Sequence, residues 1–175
     1  MDEAKRRAFT ERVIAAGHAV GIAVEPRAMA ESTATAAEAA AALGVQVGQI
    51  VKSLVFAIQG PIAARGVLCL VSGADRVDLA TLSRVLDLVE GEQVRRATAD
   101  EARSFTGFVI GGIPPFGHAP GPGFAAPVVL ADDALATRGE LWAACGTHLD
   151  VFPISYSDLL RAAGARVVSV RERPT

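Results

Sequence analysis

Lys52 is the residue whose type and position are hardest to explain as packing alone. It lies within QIVKSLVFAI, from Gln49 to Ile58. The two-residue alternation of a strand puts Ile50, Lys52, Leu54, Phe56 and Ile58 on one face and Val51, Ser53, Val55 and Ala57 on the other. An ammonium among apolar neighbours is costly to strip of water. Such a lysine either snorkels out at a sheet edge, where it also discourages edge-to-edge pairing, or stands at the mouth of a pocket, ready for a phosphate or a polar ester group.

A second feature is the loop GGIPPFGHAPGPG, Gly111 to Gly123, dense in glycine and proline. Proline fixes φ and glycine reaches conformations closed to other residues, so this loop reads as rigid. It can serve as a plain surface connection, or present backbone N–H groups to a ligand as an oxyanion hole or anion nest does. It is no phosphate loop, because neither GxxxxGK[ST] nor GxGxxG occurs. The third constellation is Cys145-Gly146-Thr147-His148 with Asp150 beside it. A Cys–His nucleophile is conceivable there, but Cys145 ends an apolar strand and reads as a buried thiol. Zinc held by His118, Cys145 and His148 lacks tight ligand spacing, and no GxSxG nucleophile elbow is present. No metal and no cofactor are expected.

These residues need elements to position them. Glu3 to about Ala19 reads as a helix, with Ile22 to Val24 as a short strand after it. Thr35-Ala36-Ala37-Glu38 is a capping box opening an alanine-rich helix that stops at Gly44. The Lys52 strand turns at Gly60-Pro61 and pairs as a hairpin with Gly66 to Ser72. A helix from Ala80 to Val89, a short strand from Val94 to Ala97 and a small helix from Asp100 to Phe105 precede the loop. Strands follow at Pro127 to Ala131, Leu141 to Cys145 and Val151 to Ile154, with a turn through Asp132-Asp133. A helix from Ser157 to Ala163 and a strand from Val167 to Val170 close the chain. No linker or repeat divides it. The reading is one α/β domain over residues 1–175, a mixed sheet with helices outside it.

The 175 residues suffice for one good core. The formal net charge of -2 offers no global positive field to coat nucleic acid. Arg6, Arg7 and Arg12 with Arg95, Arg96 and Arg103 read as solvated surface charge, or as a local basic patch where they converge in space. Cys69 and Cys145 sit in apolar surroundings, which fits a reducing compartment. The start lacks a signal-peptide pattern, and no apolar run approaches the ~20 residues that span a bilayer. The expected location is the cytoplasm, without membrane attachment.

Three segments together resemble the YbaK/prolyl-tRNA-synthetase-associated editing family: TATAAEAAAALGV (Thr33 to Val45), QIVKSLVF (Gln49 to Phe56) and GGIPPFGH (Gly111 to His118). LVSGADRVDLATL (Leu70 to Leu82) and GTHLDVFPISYSDL (Gly146 to Leu159) extend the likeness over nearly the whole chain. The resemblance implies a compact α/β fold with a mixed, curved sheet. It also implies hydrolysis of the ester of mischarged aminoacyl-tRNA by a free-standing deacylase, in the service of translation fidelity.

Carried over residue by residue, the resemblance makes Lys52 and Gly112 catalytic, with Gly111 close enough that the oxyanion donor stays open between them. Ser53, Pro115, Phe116, Gly117 and His118 complete the two motifs. Thr35, Gly146, Thr147 and His148 would line the amino-acid pocket. The chemistry implied is substrate-assisted: the ribose hydroxyl beside the ester positions water, so no protein nucleophile is required. The implied partners are the acceptor end of a mischarged tRNA, tRNA(Pro) or a related one, and an aminoacyl-tRNA synthetase; monomer and homodimer both stay open. The late segment departs from the Ser-Gly-Gly pattern of cysteinyl-specific members, so the amino acid is open among small ones such as alanine, cysteine and serine. The competing reading is a non-catalytic module of the same fold that binds tRNA ends or a small ligand. The two part on whether Lys52 and the Gly111-Gly112 amides face one cleft.

Overall fold

Helix boundaries follow from their caps. In the computed structural model, which describes residues 1–29, 35–61 and 64–172, the Thr35 hydroxyl accepts from the Glu38 amide at 3.2 Å. The Glu38 carboxylate accepts from the Thr35 amide at 2.9 Å. This capping box opens α2 (Ala36–Leu43), and Gly44 closes it with a left-handed φ of 71°. Thr33 and Ala34, the first residues of that motif, lie outside the described residues. The same box, Thr98 with Glu101, opens α4 (Ala99–Thr106). Asp2 caps α1 (Glu3–Ala19), and Ser155 caps α5 (Tyr156–Ala163).

Among the described residues, eight strands form one mixed sheet: β1 (Arg27–Ala28), β2 (Ile50–Gln59), β3 (Arg65–Ser72), β4 (Gln93–Arg96), β5 (Val128–Asp132), β6 (Leu141–Thr147), β7 (Asp150–Ile154) and β8 (Arg166–Val168). The spatial order is β1-β7-β6-β2-β3-β5-β8, with β4 also pairing β2. The expected β2–β3 hairpin is present in unbroken register from Val51↔Ser72 to Ile58↔Arg65. One face of the sheet buries Val51, Val55, Ala57, Leu68 and Leu70 with Phe105, Phe108 and Phe152. The other buries Phe56, Ile58, Val67 and Cys69 with Leu82 of α3 (Leu79–Val85). The expected alternation of β2 therefore matches its two cores.

Some expectations need correction. Ile22 and Val24 are buried but form no strand; the Ile22 amide turns back to the Gly17 carbonyl at 2.9 Å, and strand pairing begins only at β1. α3 ends at Val85 rather than Val89, because Asp87 takes a left-handed φ of 48° that breaks the helical ladder. The turn at Asp132-Asp133 is a 3₁₀ segment, Asp133–Thr137. The buried Asp132 carboxylate accepts from Ala134, Val170 and Arg171 there and anchors the end of the chain to the sheet.

Candidate active site

The site begins with the two edges of β2. One edge pairs with β3 throughout. The other is shared: β6 runs parallel to Ile50 and Val51, whereas β4 runs antiparallel to Phe56–Gln59. Between them the ladder splits. The Ile50 carbonyl accepts from Gly73 on the β3 side and the Val55 carbonyl from Ala97 on the β4 side. Odd-numbered residues therefore aim their backbone groups at the split edge. Ser53 stands in the split, and among the described residues its N–H and C=O have no ladder partner. Its hydroxyl oxygen is also buried without a partner.

A cavity of about 490 Å³ occupies the split, between α2, the loop Ile110–Ile113, β6 and the β6–β7 turn. Of the expected residues, Thr35, Lys52, Ser53, Gly111, Thr147 and His148 all line it. Lys52 is half-buried, and its amine donates to the Asp75 carbonyl. An ammonium carries three donors, so two remain for a ligand. Burial lowers the Lys52 pKa; nearby Asp75 opposes this, and Arg96 and Arg76 add to the lowering. Neither guanidinium lines the cavity itself. The Gly111 amide, at a φ of 93°, has no hydrogen-bond acceptor among the described residues. Lys52 and Gly111 thus share one cleft.

Gly112 does something else. Its amide donates to the Val109 carbonyl at 3.0 Å, so that N–H is already committed to a turn. A Cβ on Gly112 would lie 2.5 Å from the Thr147 Cα; the glycine lets the loop lie directly on the β6–β7 turn. Pro115, Phe116, Gly117, His118 and Gly146 do not line the cavity. Phe116 is buried against Phe152, and His118 bonds the Pro114 carbonyl at 2.9 Å and stands edge-on to Phe108. Gly117 lies against Val13 and Ala16 of α1, and Gly146 against Phe9. Gly117 thus packs the loop on α1. The Arg12 guanidinium of α1 stands over the Phe108 ring, 3.8 Å from its centroid.

The proposed arginine patch largely dissolves into such contacts. Arg6 pairs with Asp150 at 2.6 Å, Arg7 with Glu11 and Arg95 with Glu101. Asp150 also accepts from the Thr147 hydroxyl at 2.5 Å. Burial opposes ionisation of Asp150, but the bonds from Arg6 and Thr147 outweigh it and hold its pKa below the ordinary carboxylate value. Cys145 is fully buried, and burial pushes its thiol up to about 12; almost no thiolate exists near neutral pH. Among the described residues no three His, Cys, Asp or Glu side chains are grouped to hold a metal.

The model of the aminoacyl-tRNA editing domain matches residues 30–162. The chain belongs to the aminoacyl-tRNA editing domain family. A candidate trans-editing enzyme for prolyl tRNA synthetase is 40% identical, with a TM-score of 0.79 over 94% of this chain and 98% of that one. A chain solved in work on grafting linear epitopes onto scaffold proteins is 36% identical, with the same TM-score and coverage. The hypothetical protein APE2540 is 28% identical, with a TM-score of 0.77 over 92% of this chain and 99% of that one. No curated protein matches. The mixed sheet with helices around it is thus an architecture this chain shares with solved relatives.

Within this editing domain the cavity also uses residues that sequence reading passed over. Trp142 and Ala143 of β6 line it beside Ile50 and Val51, and Ala144 of the same strand lines it too. The Trp142 indole N–H is buried without a partner. Gly73 closes the floor: a Cβ there would lie 2.4 Å from the Val47 carbonyl. A lone tryptophan in an apolar strand reads as core from its neighbours, so only its pairing with Ile50 could have marked it. The assembled chemistry is an amine, an unspent loop amide, and an unpaired strand amide with its hydroxyl, set around an otherwise apolar space. Such a set has the donors to bind an anion or polarise a carbonyl.

Proposed function

We propose that this protein hydrolyses the ester of mischarged aminoacyl-tRNA carrying a small amino acid, acting in trans on tRNA(Pro) or a related tRNA. The observation that carries the reading is the single cavity lined by both Lys52 and Gly111 at the split of the sheet. The two unspent Lys52 donors hold phosphate or ribose oxygens of the terminal adenosine. Water attacks the ester carbonyl carbon and its π pair moves to the carbonyl oxygen, where the Gly111 amide stabilises the developing charge. Collapse breaks the bond to the ribose oxygen, which takes the proton lost by the water; the neighbouring ribose hydroxyl relays it. The amino acid and a free tRNA end leave.

No protein nucleophile is needed, which agrees with the inert Cys145. A space of about 490 Å³ that must admit part of a nucleoside leaves room for a small side chain, so larger ones are excluded sterically. The mischarged acceptor end, and a synthetase that generates it, are the partners this reading assigns, in the cytoplasm.

The test is deacylation of Ala-, Cys- and Ser-tRNA(Pro), with Ser-tRNA(Ala) and Ser-tRNA(Thr), by wild type and Lys52→Ala. Loss of one ester, slowed at least about 100-fold by the substitution, is the expected result. A folded wild type that cleaves none of them refutes the reading and leaves the binding module.

A further inference from the structure

The split that opens the main cavity also opens a smaller one. It has a volume of about 70 Å³ and lies between β4, α4 and the Ile110–Ile113 loop. Ser53, Leu54, Ile110 and Ile113 line both spaces, so they form a common wall. The outer end is lined by Arg96, which is exposed, and Ala97; the inner end is Ser53. One water needs about 10–15 Å³ of such space and two or more polar partners. The small cavity therefore has room for a few waters. Ser53 supplies the partners: an amide and a carbonyl aimed into the split, and a buried hydroxyl with no bond in the protein.

We propose that this second opening is a water port, and that Ser53 positions in it the water that attacks the ester. The inference rests on the deacylase reading. When a tRNA end fills the main cavity, it blocks the mouth on the Lys52 side. A nucleophile must then arrive by another route. The small cavity supplies one from solvent beside Arg96. Rotation of the Ser53 hydroxyl about χ1 moves a bonded water across the shared wall. The step balances as ordinary hydrolysis: the water oxygen bonds to the carbonyl carbon, the ester C–O bond breaks, and the water proton ends on the ribose oxygen. Ser53 accepts and donates hydrogen bonds but forms no covalent bond.

Two readouts test this. Water-to-amide cross-relaxation in the protein alone should show a bound water at the Ser53 N–H, and Ala97→Leu, which fills the outer end, should remove it. In single-turnover deacylation, Ala97→Leu should lower the rate constant about 10-fold or more by displacing the nucleophile, with the half-saturating concentration of aminoacyl-tRNA within about twofold of wild type. Ala99→Leu, an equal enlargement at an exposed position of α4 outside both cavities, should change neither. Thermal melts check that each variant folds, and Ala97→Val gives a smaller plug where Leu does not fit. No bound water at Ser53 in wild type, or an unchanged rate in a folded, plugged variant, overturns the port. Hydration at Ser53 in a protein that cleaves none of the esters instead overturns the deacylase reading, and with it the assignment of this water as nucleophile.

Discussion

Gly112→Ala separates two roles for that glycine, oxyanion donor and close-packing residue. The added Cβ would stand 2.5 Å from the Thr147 Cα, 2.7 Å from its carbonyl carbon and 2.9 Å from its nitrogen. All three contacts are backbone, so no side chain can swing aside. Carbon atoms at rest lie about 3.5 Å apart, so the loop must lift by roughly 1 Å. The cost of such overpacking is about 1–3 kcal/mol, which lowers Tm by about 2–4 °C per kcal/mol in a domain of this size. Gly111 is the next residue and would move with the loop. A misplacement of 1 Å at a reacting group costs on the order of 100-fold in rate. Gly111→Ala is the contrast: its Cβ would meet nothing nearer than His148 Cβ at 3.9 Å, so it carries only the φ penalty of about 1–2 kcal/mol and leaves its amide in place. The assay is kcat/KM on the cleaved mischarged tRNA, with melts of each variant. A Gly112→Ala protein with wild-type Tm and kcat/KM within about threefold of wild type would refute the close-packing reasoning.

Two further predictions concern the frame. Arg6→Ala leaves the nearly buried Asp150 carboxylate with Thr147 as its remaining side-chain donor. It should destabilise the fold by about 1–3 kcal/mol near neutral pH. Because the folded Asp150 pKa is depressed, the pair's contribution is present above about pH 4 and fades as pH falls through the folded value; urea titrations of wild type and variant should converge in acid. Glu101 is pulled down to about 2, first by the Arg95 hydrogen bond and then by the Thr98 amide. Its contribution is present above about pH 4.5 and lost between there and about pH 2. Solvent exposure of Arg95 keeps it to about 1 kcal/mol, so Glu101→Gln should melt lower than wild type at pH 7 and match it by pH 2.

What could be read from the sequence was what depends on near neighbours. The capping box at Thr35 and the alternation of β2 involve residues a few positions apart, and both stand in the structure as expected. The hairpin of β2 with β3 is likewise local. Ile22–Val24 misled because apolar alternation signals burial, and here burial comes from packing without a ladder. The glycine-rich loop reads as one unit in the sequence, and its division of labour could not be read there. Gly111 faces the cavity, Gly112 is packed on Thr147, Phe116 lies against Phe152, Gly117 against α1 and His118 against Phe108. Which residue does which depends on contacts with α1, β6 and β7, distant from the loop in sequence. Whether the arginines converge could not be read for the same reason: local charge counts do not show that Arg6 is claimed by Asp150, 144 positions away.

The split sheet also answers a geometric difficulty in the site. Lys52 and Ser53 are consecutive strand residues, so their side chains point to opposite faces of the sheet. In a continuous sheet they could not serve one ligand, because the neighbouring strand would stand between the two faces. β6 leaves β2 after Val51 and β4 joins it only at Phe56. Over that interval the edge of β2 is open, and a ligand lying across it meets the Lys52 amine from one face and the Ser53 hydroxyl from the other. It also meets the Ser53 amide edge-on. The backbone group left without a partner by the missing ladder is thereby the group best placed to bind. An N–H left without a ladder partner in the split is satisfied when a water or an ester oxygen accepts from it. Its position is fixed by β3 along the whole opposite edge, so binding requires no rearrangement of the strand. The same division explains why access from two sides is possible here and not elsewhere along β2.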